Sequence, residues 1–451
     1  MKTYQDLLAV GDDELKRGAF CEDAVNAFIA SPMYKEAWAA ERYFAHHNIT
    51  IEKLVKYLYT VTGRQVEDPF SANHKTKWGI FPKLVVQESM YILANGLKLQ
   101  DLNNKKKLGK DIDRKLIYAA IRALVNGVSF GFWNLDHLEV FSLADTPTEP
   151  GFCPLYDDDT SQLKGGIRFW SRRIGDEVNH YYTLYDVDGY AEYAKVGSEE
   201  IRVSAEKTAY KITVNLTEAG GVESITGENY GVLPIVPLYG NMTHQSEIVG
   251  YRDDIDTYDL IKNGFFNDID DNGVFWSIKN AGGMDDVDLA WFMQRIKTIK
   301  AAIVEDEGEA TPNTVSLPTE AIQTALDIIR HDVYENAQML DLDRLSAGQK
   351  TAQELRTAYQ PMDNKCALFE AEILSFLDGI FALAGIPEEE ASFTWNKVVN
   401  ETEETSMVLS AANYLSDESV IQHLPFLTPE EMAAEIEKRI QGDYQQFNAE
   451  E

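Results

Sequence analysis

Leu233-Pro-Ile-Val-Pro237-Leu-Tyr-Gly-Asn241 divides this chain into two kinds of sequence. Two prolines interrupt one short apolar run. Proline fixes φ, removes a backbone donor and keeps the preceding residue extended, so the segment predicts an exit from sheet into extended chain. Before it, from Val128 to about Val236, apolar residues recur with a period of two. Val128-Ser-Phe-Gly-Phe-Trp133, Ile167-Arg-Phe-Trp170, His180-Tyr-Tyr-Thr-Leu-Tyr185 and Tyr210-Lys-Ile-Thr-Val214 are short β-branched and aromatic runs. Such runs suit a pleated surface. Asp186-Val-Asp-Gly189 and Gly220-Gly221 supply turns between them. The reading is an antiparallel β region.

On both sides the period lengthens to that of a helix. Upstream, Ala24, Val25, Phe28 and Ile29, then Trp38, Ala39, Tyr43 and Phe44, recur at three and four. A stronger amphipathic helix covers Ile80 to Leu93 and stops at Asn95-Gly96; another covers about 111–125 and stops at Asn126-Gly127. Downstream, a helix starts at about Arg252 and carries Ile255, Tyr258, Ile261, Phe265 and Ile269. Val274-Phe-Trp-Ser-Ile278 reads as a strand. Residues 281–316 are mixed: a helix around Leu289–Ile303, an acidic stretch from Glu305 to Glu309, and turn chemistry at Pro312-Asn313. Pro318 opens a long helix to about Leu340, being well placed in a first turn. A break from Asp341 to Gly348 precedes a helix over about 350–385, which Gly385-Ile-Pro387 ends. A last strand, Phe393-Thr-Trp395, leads into acidic helices. The fold class expected is α+β.

The composition narrows the function. With 451 residues, 44% of them hydrophobic, the chain can fill two to four compact units. Its start lacks a basic, apolar, small-residue leader, so secretion is not expected. No run of about 18 uncharged apolar residues is present, so no membrane span is expected. Cys21, Cys153 and Cys366 are too far apart for a disulfide framework or a metal knuckle, and are expected to be reduced, buried thiols in the cytoplasm. Seventy-four acidic residues against 41 basic ones give a formal charge of −33. Tight nucleic-acid binding usually needs the opposite sign. Two readings remain: a solvated acidic surface, or a surface that DNA passes without sticking.

Motifs for catalysis fail on inspection. Gly348-Gln-Lys-Thr351 lacks the glycine directly before the lysine that a phosphate loop requires, and position 343 is Asp where the second glycine should stand. Asp268-Ile-Asp270-Asp-Asn272-Gly273 begins like a calcium loop, but its twelfth position is Lys279 rather than a bidentate Glu. It reads as a helix-ending turn. His46-His47 has no ligand at i+3 or i+4 on its face, and neither HExxH nor GxSxG occurs. No catalytic, cofactor-binding or metal residue is assigned. A structural or mechanical role is the expectation.

The junction at 233–241 resembles that of portal proteins of long-tailed phages, in the branch typified by siphophages of Gram-positive hosts. There a Pro-apolar-Pro run ending in Asn follows the β region and precedes an aspartate-rich helix, here within Ser246–Ile269. Leu345-Ser-Ala-Gly348-Gln-Lys-Thr-Ala352 is similar to the segment opening that family's longest helix. Asn73-His-Lys75 and the strand from Gly127 to Trp133 also fit, and the matching order runs from about residue 35 to 425.

The resemblance implies a portal fold built as a ring, expected to hold twelve subunits. Residues 1–250 would be the wing, helical over 1–126 and β-rich over 127–245. Residues 251–270 and 317–340 would be stem helices, 271–316 the clip, 341–350 the tunnel loop, 351–386 a long wing helix and 387–451 the crown. Lys262, Asp341, Asp343, Arg344 and Lys350 would face DNA in the tunnel. Phe275, Trp276 and Ile278 would make contacts between subunits in the clip, since an exposed edge strand seeks a partner. The implied partners are further copies of the chain, passing double-stranded DNA, the terminase large subunit, a head-tail adaptor, and the major capsid and scaffolding proteins. The implied place is the portal vertex of the virion, after assembly in the host cytoplasm. The alternative is another ring-forming connector or structural component of a phage-like particle.

Overall fold

A computed structural model describes residues 1–59, 64–68, 71–216, 222–270, 274–279, 309–314, 317–343 and 352–397, with shorter pieces between 287 and 295 and between 408 and 438. The chain divides into two compact units. The first comprises 1–339 and 362–394; the second comprises 340–361 and 395–451.

The first unit opens with helices α1 (Tyr4–Val10), α2 (Glu14–Ile29), α3 (Pro32–Phe44) and α4 (Ile49–Glu52). Each start is set by a side chain that accepts orphan backbone donors: Thr3, Asp13, Ser31 and Asn48. A small antiparallel hairpin follows, β1 (Tyr57–Tyr59) and β2 (Gln65–Glu67). Next come α5 (Ile80–Leu93), β3 (Lys98–Leu99), α6 (Leu102–Lys107) and α7 (Ile112–Asn126). The bounds of α5 are those the periodicity predicts.

The β region is then laid down as β4 (Val128–Asn134), β5 (His137–Ser142), β6 (Gly151–Tyr156), β7 (Leu163–Ile174), β8 (Glu177–Asp186), β9 (Gly189–Val196) and β10 (Arg202–Thr208). A separate ribbon, β11 (Lys211–Leu216) with β12 (Val222–Glu228), precedes β13 (Ile235–Tyr239). Eight of these strands form one sheet in the order β10-β9-β8-β7-β6-β5-β4-β13. Two expectations are corrected here. The pairing is not uniformly antiparallel, because β5 meets β6 in parallel at Ser142 and Gly151. The two-proline segment does not leave the sheet: β13 is its edge strand, with Pro237 opposite Phe130. An edge is where a strand tolerates a residue that cannot donate.

Both faces of β4 are covered, which is why its sequence is apolar throughout. Phe130 and Phe132 join Leu7, Phe20, Phe28 and Tyr34 of α1–α3 in the main core, with Phe152 and Phe169. Facing the other way, Ser129 donates to the Ala119 carbonyl of α7 at 2.8 Å, and Gly131 lies under the Phe376 ring, which a Cβ would meet at 2.4 Å. Phe376 belongs to the long helix Ala352–Ala384. Gly127 ends α7 with φ +85°, and an added Cβ would sit 2.6 Å from the His244 carbonyl oxygen. Gly127→Ala should therefore cost about 2 kcal/mol or more, from left-handed strain plus a backbone clash. A lowered urea midpoint with unchanged far-ultraviolet dichroism is the expected reading.

After β13, a 3-10 turn (Glu247–Gly250) leads into α8 (Arg252–Asp270), then β14 (Val274–Lys279) and β15 (Glu309–Thr314). The turn expected at Pro312-Asn313 is instead strand, because Pro312 and Asn313 lie opposite Trp276 and Phe275. Of the expected helix 289–303, residues 291–292 and 294–295 are described, as helix. Helix α9 (Thr319–Asn336) starts after Pro318 as predicted and stops short of Leu340. Helix α10 (Ala352–Ala384) runs through Pro361 and stops at Gly385, φ +74°. The last strand, β16 (Ala391–Ser392), pairs with β3; it falls ahead of the predicted Phe393–Trp395. In the second unit, α11 (Asp417–Gln422) is helical as expected. Gly220 and Gly221, read as a turn, lie outside the described residues, as do Asn272, Gly273 and the loop 344–351.

Candidate functional site

Of the residues that the sequence singles out, Lys262 stands on α8 and Phe275, Trp276 and Ile278 on β14, while Asp341 and Asp343 follow α9 in the chain. These helices pack antiparallel: Asn336, at the end of α9, donates to Asp254, at the start of α8, at 3.1 Å, and Arg330 acts on Tyr258 further along. Together they carry ten carboxylates against three cations, Arg252, Lys262 and Arg330. The hairpin is strongly acidic.

What anchors α8 is not its apolar stripe. Of the residues in the predicted stripe, Ile255 is buried, whereas Ile269 is 50% exposed. The buried face is polar: Asp259, Asn263 and Asn267, spaced one turn apart. They capture the backbone of residues 74–78, which lie extended along the helix. Asn267 accepts from the His74 amide at 2.7 Å, Asn263 from the Thr76 amide at 2.8 Å, and Asp259 from the Trp78 amide at 2.8 Å. Asn263 also donates to the Thr76 carbonyl at 2.8 Å. A period of two in an extended chain thus meets a period of four on a helix, and each captured donor is satisfied. Asn48 donates to the second oxygen of Asp259 at 2.8 Å, and Trp78 stacks on Tyr258 with centroids 4.1 Å apart. Burial pushes the Asp259 carboxyl up to about 6, against the pull of these donors. The sequence reading missed this face; the signal was Asp-x3-Asn-x3-Asn.

At the other end of the hairpin a buried cation joins four elements. Lys365 of α10 pairs with Glu88 of α5 at 2.8 Å and with Glu247 of the 3-10 turn at 2.6 Å. It also donates to the carbonyl of Ala337, the residue that closes α9, at 3.1 Å. From α5, Lys83 donates to the Tyr334 hydroxyl of α9 at 3.1 Å. Burial drives Glu88 up to about 7, partly opposed by Lys365, while the two carboxylates raise Lys365 above its ordinary value.

The predicted site residues divide as follows. Lys262 is half-buried, its ammonium 5.8 Å from the Tyr258 ring centroid. Asp341 accepts from the Asp343 amide at 3.2 Å in a local turn, and Asp343 is exposed. Arg344 and Lys350 lie outside the described residues. Phe275, Trp276 and Ile278 stand on β14, whose one edge is paired within the chain to β15, opposite Asn313, Pro312 and Ala310. Among the described residues, no three His, Cys, Asp or Glu side chains come together as a metal cage. The three cysteines are buried, as expected, and burial raises each thiol well above its usual range.

Comparison with known proteins covers nearly the whole chain. The model of the family described as Phage portal protein, SPP1 Gp6-like, matches residues 34–446. The portal protein of Clostridium phage phiCD119 is 24% identical over 449 residues, covering 92% of this chain and 96% of that protein. The portal protein of Bacillus phage SPP1 is 21% identical over 434 residues, covering 88% of this chain and 82% of that protein. With that match and the order of elements above, the chain belongs to the SPP1 Gp6-like family of phage portal proteins.

Proposed function

We propose that copies of this chain close into a ring, of twelve subunits, through which double-stranded DNA enters and leaves a phage capsid. The observation that carries the reading is the acidic hairpin of α8 and α9, held at both ends by buried polar contacts. DNA that must slide needs a lining that does not hold it. Carboxylates repel phosphate within a Debye length of about 8–10 Å and offer no counterion release. The stem would be α8 and α9; Lys262, Asp341, Asp343, Arg344 and Lys350 would make brief phosphate contacts along the lumen. In the clip, β14 would use its outer edge, with Phe275, Trp276 and Ile278, against a neighbouring subunit.

The role is passive and conformational rather than enzymatic. A separate terminase large subunit would hydrolyse ATP and dock on the clip; adaptor, major capsid and scaffolding proteins would meet other faces. The working place would be the portal vertex of the virion. Cryo-electron microscopy of the purified chain tests this directly. A closed ring whose opening matches duplex DNA, with α8 and α9 around it, is expected. A stable monomer, or a compact oligomer without a channel, would overturn the reading.

A further inference from the structure

One groove in the first unit runs against the charge of the whole chain. A cavity of about 990 Å³ lies between α3, α7 and β7 and is lined by Arg42, Arg122, Arg168 and Arg172. A second, of about 330 Å³, shares Arg168, Glu149 and Pro150 with it and adds Arg114 and Lys115. Six cations therefore line these two neighbouring hollows, taken together as one groove, on a chain of formal charge −33.

These cations are unequally committed within the chain. Arg122 is fully engaged: it bonds Glu41 at 2.6 Å, Glu149 at 3.1 Å and the Tyr118 hydroxyl at 2.9 Å, and so fixes the floor. Arg42 shares one carboxylate, Glu52, with Lys77 and His47. The Nε atoms of Arg42 and Arg168 are buried and donate to no acceptor among the described residues, although the Arg168 guanidinium donates to the Tyr185 hydroxyl and lies 4.8 Å from the Phe141 ring centroid. Arg172 is exposed, and Arg114 pairs with Asp111 at the surface at 2.7 Å. Trp38, 42% exposed, stands at the lip beneath the Arg42 guanidinium. A buried donor without an acceptor is unfavourable, and a guanidinium fork matches a carboxylate in two bonds.

We infer that this groove receives a carboxylate-bearing surface segment of a neighbouring copy of the chain. Charge complementarity selects the occupant. Each copy carries 33 more carboxylates than cations, so a second copy supplies the ligand wherever the two surfaces meet. A nucleic-acid backbone fits less well. Glu41, Asp145 and Glu149 are interleaved with the arginines and break the positive track that successive phosphates require. The inference rests on the ring reading above and adds to it one specific interface.

The test uses the full chain and the double variant Arg114→Glu/Arg172→Glu, two exposed positions whose change leaves the folded monomer intact. Ring assembly is followed by native mass spectrometry across protein concentration, with thermal unfolding as the fold control. The variant should need at least tenfold more protein for half-assembly. Carbodiimide coupling of rings mixed from light and nitrogen-15 chains should join Lys115 of one copy to a carboxylate of the other. Equal assembly of variant and wild type, or Lys115 couplings only within one copy, overturns the inference. So does a variant that assembles normally but loses retention of duplex DNA, which would make the groove a phosphate track. If the wild-type chain forms no ring, the ring reading falls and the interface with it, an outcome visible in the wild-type arm alone.

Discussion

Replacing Lys365 with methionine should destabilise the first unit by about 3–5 kcal/mol, the usual loss when one partner of a buried ion pair is removed. Glu88 is 2% exposed and Glu247 is part-buried, so neither finds water in place of the lysine. The loss is not that of three polar contacts in isolation. It is the cost of leaving anions in a medium of low dielectric. Lys365→Met/Glu88→Gln/Glu247→Gln should accordingly recover most of the stability, because no buried charge is left behind. Urea unfolding of the three proteins decides it; a triple variant as unstable as the single one would count against the argument. A pH effect follows from the same residues. One cation faces two carboxylates, and burial moves Glu88 from 4.5 up to about 7. A carboxyl raised in the folded state contributes stability below its unfolded value, and that contribution is lost as pH rises through the folded value. Stability should fall between about pH 4.5 and 7. Asp259, raised from 3.8 to about 6, acts in the same sense at lower pH. The interval between 6 and 7 is thus diagnostic, and Glu88→Gln should flatten it.

Much of the scaffold could be read from local pattern because local pattern sets it. Ile80–Leu93 is a helix whose apolar residues repeat every turn and whose stop is Asn95-Gly96, and its bounds agree with the sequence reading. Pro318 and Gly385 mark a helix start and a helix stop. The misses share a cause. Pro312-Asn313 has turn composition, yet it is strand because Trp276 and Phe275 pair with it across a long connection. Pro237 looked like an exit until β4 claimed it as an edge partner. The polar face of α8 was hidden because hydrophobic periodicity looks for apolar stripes, whereas here the buried groups are amides and a carboxylate satisfied by backbone. Lys365 and Glu247 are 118 positions apart, and no spacing rule reaches across that distance. Among the site residues, Lys262 and the aspartates at 341 and 343 are expected from family order alone, since no local pattern in the sequence distinguishes them from the chain's other charged residues.

Asn263→Ala should release the segment 74–78 from α8 and lower stability by about 1–3 kcal/mol, since two part-buried backbone groups of Thr76 lose their partner at about 0.5–1.5 kcal/mol each. Asn263 is particular in its chemistry: its amide both accepts from and donates to one residue, as a neighbouring strand would. Aspartate cannot replace it, because a second carboxylate oxygen would then face the Thr76 carbonyl and add charge beside Asp259. Asn263→Asp should therefore fail to rescue, and that failure distinguishes hydrogen-bond pairing from simple space filling. Hydrogen exchange locates the effect. The amides of His74, Thr76 and Trp78 should lose protection while those of β7 and β8 keep theirs, since these strands lie in the middle of the sheet, paired on both edges. If protection at 74–78 survives, the segment is held by the Trp78–Tyr258 stack and the flanking chain instead. If it is lost while rings still assemble, the clamp serves to order α8 within the first unit rather than to permit assembly. Images of such rings should then show α8 and α9 blurred around the channel while the sheet stays sharp. That pairing of results would tie three side chains on one helix face to the order of the two helices proposed to line the channel.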